Sequence, residues 1–172
     1  SNYTKYALKK VREVLKNIAV VPLAGIAGSE FPLKNKTGEK GDWLPKKEAI
    51  PGEYPTTSPL NLCIRSGHLV FLSGIGGWYP SRRKEPGDIK VQIHGALTDM
   101  KNQLEKAGTS MANVLKVHMT LVDPNKNLAP LNEVYGGFFP DPKPVRSFSG
   151  TSADLMGRNG VLVQIDCIAY ID

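Results

Sequence analysis

Arg146 stands in Pro-Val-Arg-Ser-Phe-Ser-Gly (Pro144 to Gly150), directly after the proline-punctuated run Phe139-Pro140-Asp141-Pro142-Lys143. Prolines fix the backbone and cannot continue a helix, so this run delivers the arginine at the start of a strand in one direction. A guanidinium held that way is a fork for a carboxylate or a phosphate. On these residues alone, an ordinary structural salt bridge accounts for it equally well.

Other chemistry-bearing residues give less. Gly74-Ile75-Gly76-Gly77 resembles a nucleotide-binding loop, but Trp78-Tyr79-Pro80 follows where a helix should begin, which argues against a phosphate cradle. His68, His94 and His118 are scattered over a turn, a helix and a strand, so no metal site is expected from them. Ser147 and Ser149 show no His and Asp in a recognisable arrangement, so a serine nucleophile is not expected either. Cys63 and Cys167 are the only cysteines, without CxxC spacing, which suits buried thiols in a reducing, cytoplasmic setting.

At 172 residues, with 41% hydrophobic and 22% charged residues, the chain reads as one ordinary globular domain plus an appendage. No apolar run approaches the roughly 20 residues of a transmembrane helix, so no membrane partner is expected. The net charge of +6 is unevenly spread. Residues 1–50 hold ten Lys/Arg against five Asp/Glu, whereas residues 51–172 hold twelve against eleven. A nucleic-acid surface needs a clustered basic stripe; Arg82-Arg83-Lys84 between Pro80 and Pro86 reads instead as a solvated loop tip. Specific nucleic-acid binding is therefore not expected.

The elements that must position Arg146 follow from periodicity. Residues 1–57 comprise an amphipathic helix over Tyr3 to Ile18 and a Pro/Gly/Lys-rich extended arm, docked or mobile, with room for short strands. Residues 58–172 form the main domain. Leu62 to Arg65, a Ser66-Gly67 turn and His68 to Gly74 read as a β-hairpin. Asp88 N-caps a helix carrying Ile93, Ala96, Leu97, Met100 and Leu104 on one face, closed by Gly108. Leu115, Val117, Met119 and Leu121 alternate with polar residues as a half-buried strand. Leu128, Leu131, Val134, Tyr135 and Phe138 mark a second helix, and a strand over Val161 to Ile171 closes the chain. The order predicts an α+β fold, a mixed sheet with two helices packed on one face. The other sheet face mixes His118, Gln164, Asp166, Ile168 and Tyr170, too apolar for water alone, and is expected to meet other subunits.

Four segments together resemble the Rid family (reactive-intermediate deaminases, YjgF-like, also called endoribonuclease L-PSP-like). They are Ser66 to Gly74, Leu131 to Phe139, Pro144 to Ser147 and Val163 to Ala169. The resemblance covers about Ser58 to Asp172 and makes this an N-terminally extended member. It implies a chorismate-mutase-like fold, a homotrimer with clefts between subunits, and hydrolysis of enamines or imines to a keto acid and ammonia without metal or cofactor. The family's carboxylate-clamping arginine falls on Arg146. Its cleft-lining Ser-Gly pair falls on Ser73 and Gly74, with the Ile75 backbone beside them, and its helix asparagine falls on Asn132.

Three positions depart from that pattern. Leu60 stands for the family tyrosine, Phe148 for a cysteine, and Gln164 for the glutamate that positions the attacking water. Glutamine can hold a water but cannot take its proton at neutral pH. Asp166, on the same strand face, is a candidate substitute, although an exposed or interface charge is its plainer reading. Leu60 and Phe148 make a more apolar pocket, suited to a larger or unsaturated acid such as an aminomuconate-like substrate. Two functions remain: a deaminase of small carboxylate-bearing imines or enamines, and a non-catalytic trimer sensing 2-keto acids. The near-neutral main body gives a ribonuclease reading little support.

Overall fold

The computed structural model describes residues 47–52, 56–77 and 85–172. The expected helix over Tyr3 to Ile18, Trp43, Trp78, Tyr79 and the Arg82-Arg83-Lys84 tip lie outside the described residues. Six strands form one sheet in the order β1-β2-β3-β6-β4-β5. They are β1 (Lys47–Ile50), β2 (Cys63–Ser66), β3 (Leu69–Ile75), β4 (Val114–Val122), β5 (Val145–Thr151) and β6 (Val163–Tyr170). Helices α1 (Ile89–Lys106) and α2 (Pro124–Tyr135) follow β3 and β4. The arm thus contributes a strand of its own, β1, which pairs antiparallel with β2 and extends the sheet.

Local signals set the element ends. The Asp88 carboxylate accepts a hydrogen bond from the Val91 N–H at 3.0 Å, capping α1. Gly108, at φ +82°, takes the left-handed turn that ends the helix region. Gly136 and Gly137 terminate α2 one turn short of Phe138, whose N–H bonds the Tyr135 carbonyl instead.

The core lies between the helices and one sheet face. Ile93, Leu97, Met100 and Leu104 of α1 are fully buried, as are Val117, Met119 and Leu121 of β4 and Val163 and Ile165 of β6. Burial of such side chains contributes roughly 1.5–3 kcal/mol each. One strand residue breaks the expected alternation. Leu115 is exposed and Val114 is buried, because β4 shifts register against β6 between Val114 and Lys116. An irregularity there re-aims one side chain, which simple period-two reading cannot detect.

Where β3 ends, the backbone presses directly on α1. A Cβ on Gly77 would stand 1.7 Å from the Gln92 carbonyl oxygen, so only glycine fits. Gln92 itself is fully buried and satisfied. Its amide nitrogen donates to the carbonyls of Gly87 (3.0 Å) and Gly160 (2.8 Å), and its oxygen accepts from the Leu162 N–H (2.9 Å). One core side chain therefore ties the start of α1 to the loop that leads into β6.

Candidate active site

The chain after α2 runs through Pro140, Pro142 and Pro144 into edge strand β5. Arg146 pairs with Val117 of β4, which pairs with Cys167 of β6, so its side chain leaves on the helix side of the sheet. There it meets α2. Arg146 Nη1 donates to Asn132 Oδ1 at 2.8 Å, and the guanidinium carbon sits 4.5 Å above the Tyr135 ring centroid. Tyr135 is itself held against Phe139, with ring centroids 4.7 Å apart.

This is a positioned cation. Stacking on an aromatic face and one amide hydrogen bond fix the guanidinium plane, while one of its five N–H donors is committed. Among the described residues no carboxylate pairs with Arg146, so the structural salt bridge is not what holds it. Burial pushes the Tyr135 phenol up to about 12, against the pull of the Arg146 charge, so the ring stays neutral beneath the cation. Phe148, two residues on and paired with Met119, emerges on the same side and is exposed.

The remaining candidates gather elsewhere. Gln164 pairs with Thr120 and lies on the open face of the sheet, opposite the helices. A Cβ on Gly74 would stand 2.6 Å from the Gln164 side-chain amide carbon, so the Gly74 backbone is the wall against which that amide rests. Ser73 is next in the strand, and its N–H bonds the Leu62 carbonyl at 2.9 Å, bringing the exposed Leu60 segment alongside. Ile75 resumes pairing with Ile165 of β6 after a register shift. Ser73, Gly74 and Gln164 thus form one candidate half-site on β3 and β6, with the Leu60 segment leading into β2 beside it, whereas the Ile75 side chain packs toward the core and can offer only its backbone. Arg146, Asn132 and Phe148 form a second on the other face, with β4 alone between the strands that carry Gln164 and Arg146.

Two features escaped sequence reading. Ser147 and Ser149 do have a histidine within reach: parallel pairing of β4 with β5 places His118 Nδ1 3.1 Å from Ser147 Oγ and Nε2 3.4 Å from Ser149 Oγ. Both ring nitrogens face hydroxyls, so no acid orients the imidazole as a general base for either serine. Asp166 pairs with His118 in the sheet and shares the Gln164 face, half-buried. The second feature is a hollow of about 140 Å³ lined by Met156, Gly157, Arg158, Val161 and Gln164, which no motif announced.

The thiols do not add a nucleophile. Burial pushes Cys167 up to about 12 and raises Cys63 as well, so both are protonated at neutral pH. Among the described residues, no three His, Cys, Asp or Glu side chains gather where they could hold a metal ion.

Residues 53–171 match the family model described as endoribonuclease L-PSP. The chain belongs to that family. It is a Rid/YjgF-type member, and the mixed sheet with two helices is that family's fold. A chloroplastic protein of Arabidopsis thaliana named Reactive Intermediate Deaminase A is 30% identical over 129 residues, covering 73% of this chain and 67% of that protein. A protein of Dermatophagoides farinae named 2-iminobutanoate/2-iminopropanoate deaminase is 32% identical over 115 residues, covering 66% of this chain and 87% of its own. The crystal structure of the yeast protein YEO7_yeast superposes with a TM-score of 0.65 at 26% identity, over 74% of this chain and all of the other.

Proposed function

We propose that this Rid-type chain is a hydrolytic deaminase of small carboxylate-bearing imines and enamines, releasing a keto acid and ammonia. The observation that carries the reading is the Arg146 guanidinium, stacked on Tyr135 and braced by Asn132 with donors to spare for an acid. The names of the Arabidopsis and Dermatophagoides relatives support the reaction class.

The chemistry asks little of the protein. A protonated imine carbon is already electrophilic, so fixing the substrate and placing a water supply most of what is needed. Water adds to that carbon, the C=N π electrons return to nitrogen, the added oxygen loses one proton to solvent and the amine nitrogen gains one. The C–N bond then breaks with its electron pair leaving on ammonia, while the hydroxyl oxygen loses its second proton to solvent and becomes the carbonyl. Gln164 holds the water by hydrogen bonding, and the backbone near Ser73, Gly74 and Ile75 stabilises the tetrahedral adduct. No cofactor enters this scheme.

Since Arg146 and Gln164 leave opposite faces of one sheet, the complete cleft on this reading takes its two halves from neighbouring copies, as a homotrimer would supply them. The apolar residues of the open face, Leu69, Phe71 and Tyr170, are exposed in the single chain and support such an assembly. The buried, unpaired thiols Cys63 and Cys167 support a reducing, cytoplasm-like compartment. A second reading, a non-catalytic trimer that binds 2-keto acids, is favoured by one residue, Gln164, because its amide cannot accept the water's proton.

The test is ammonia release from 2-iminopropanoate and larger imino acids generated in situ by an amino acid oxidase. Release above the uncatalysed rate is expected. No acceleration with any imine, alongside retained 2-ketobutyrate binding, would replace the deaminase by the binding module.

A further inference from the structure

Gln164 leaves one step of the hydrolysis without a residue, since its amide holds a water but cannot take the proton that the water sheds. The open face of the sheet carries other polar groups beside it. The strand order β3-β6-β4-β5 puts β4 and β5 on the far side of β6 from Gly74. There Thr120 of β4 pairs with Gln164 on one side and with Ser149 of β5 on the other. One row along, His118 pairs with Asp166 on one side and with Ser147 on the other. His118 and Thr120 alternate with the buried Val117, Met119 and Leu121, as Gln164 and Asp166 do with Val163, Ile165 and Cys167, so these polar side chains share the open face. Cross-strand neighbours on one face have Cβ atoms roughly 5 Å apart, within reach of direct contact or of one bridging water.

The imidazole of His118 is held at both nitrogens. Nδ1 lies 3.1 Å from Ser147 Oγ, and Nε2 lies 3.4 Å from Ser149 Oγ. A neutral ring donates through one nitrogen and accepts through the other. With the proton on Nδ1, the ring donates to Ser147, and Nε2 accepts from the Ser149 hydroxyl. Ser149 neighbours Thr120, and Thr120 neighbours Gln164, so hydroxyls line the way from the amide to the ring. Asp166, across the strand from His118, favours an imidazolium by its charge, while Lys116, two residues back on the same face of β4, opposes it. From β5 that face receives Val145, Ser147 and Ser149, and from β3 Leu69, Phe71 and Ser73, none of them charged. Near neutral pH an imidazole is a better proton acceptor than a carboxylate, and it is the group the hydroxyls reach.

We infer that His118 is the proton acceptor for the water held on Gln164, reached through the hydroxyls of Thr120 and Ser149. This rests on the deaminase reading. As the water oxygen bonds to the imine carbon, it gives one proton to the Thr120 hydroxyl. Each hydroxyl hands its own proton on, and Nε2 takes the last one while the C=N π electrons return to nitrogen. One proton moves in total, both hydroxyls end as they began, and neither serine bonds to carbon. The imidazolium releases its proton to solvent before the next turnover. The acceptor that position 164 lacks thus stands one strand away.

Ammonia release from 2-iminopropanoate generated in situ, followed across pH, tests this in wild type, His118→Gln and the double variant His118→Gln with Gln164→Glu. Melting and 2-ketobutyrate binding are measured on each. Glutamine can still hydrogen-bond the serines but cannot take a proton, so His118→Gln should lose on the order of a hundredfold in kcat. Its melting temperature and 2-ketobutyrate affinity should stay at the wild-type values. Adding Gln164→Glu puts a carboxylate directly on the water and should restore the rate, with the acid limb of the pH profile moved to lower pH, as a carboxylate in place of an imidazole requires. A histidine that merely supports the sheet would show no such rescue. A kcat within about twofold of wild type in His118→Gln, or a loss that Gln164→Glu leaves unrepaired, would overturn the relay while leaving the deaminase standing. A wild type that releases no ammonia would end both.

Discussion

Arg146→Ala is expected to lower kcat/KM for imino acids by on the order of tenfold to a hundredfold, as loss of charge-assisted hydrogen bonds to a carboxylate requires. Most of the loss should appear in KM, because the carboxylate is held equally in ground and transition states. The melting temperature should scarcely change, since the side chain lies exposed at an edge strand and its partners are one amide and one ring face. Arg146→Lys should not restore activity. A lysine keeps the charge but offers a single point donor, and cannot at once lie flat on Tyr135 and bond Asn132 as the fork does. Steady-state kinetics of the two variants, with thermal melts beside them, decide it. A kcat/KM within twofold of wild type in Arg146→Ala would remove the guanidinium from the site.

The second large effect falls on stability, at Gln92. Gln92→Leu preserves approximate volume but strands the carbonyls of Gly87 and Gly160 and the N–H of Leu162, all of which the amide now satisfies. An unsatisfied buried polar group costs roughly 1–3 kcal/mol, so the variant should lose about 3 kcal/mol or more. In a domain of this size that lowers the melting temperature by on the order of 10 °C. The loop carrying Arg158 loses its anchor in the same step, so its amide protons should exchange faster than those of β4. Melting and hydrogen exchange measure both. A melting temperature within 2–3 °C of wild type, where a loss below about 1 kcal/mol would leave it, would show that water or backbone readjustment replaces the amide.

Much of this was legible in the residues. The strand and helix order emerged from periodicity, Asp88 and Gly108 marked the ends of α1, and the prolines before Val145 announced that Arg146 begins a strand. What periodicity cannot carry is the pairing between distant strands. All but the last residue of β5 are exposed, so its pattern says nothing of which face Arg146 takes; only the parallel register against β4 sets that. The same register brings Ser147 and Ser149 to His118, a contact invisible along the chain. Leu115 misled for a related reason, since a register shift breaks the alternation without any glycine or proline to signal it. Gln92 escaped as well: a polar residue on a helix face reads as solvated until the loop it ties down is in place.

The separation of Arg146 from Gln164 within one chain makes a cleft shared between neighbouring copies testable by mixing. Arg146→Ala removes the clamp, and Gly74→Val spoils the opposite half-site by driving a side chain into Gln164, whose amide carbon lies 2.6 Å from the nearest added atom. With substrate well below KM, each variant alone should release ammonia at no more than about a tenth of the wild-type rate. Unfolded together in equal amounts and refolded, random closed-ring trimers should place an intact Arg146 opposite an intact Gly74 at roughly a quarter of their clefts. Ammonia release should then return to about that fraction of wild type. Mixed trimers that form but stay as inactive as their parents, or a protein that sediments as a monomer while still turning over imines, would contradict a site shared between neighbouring chains.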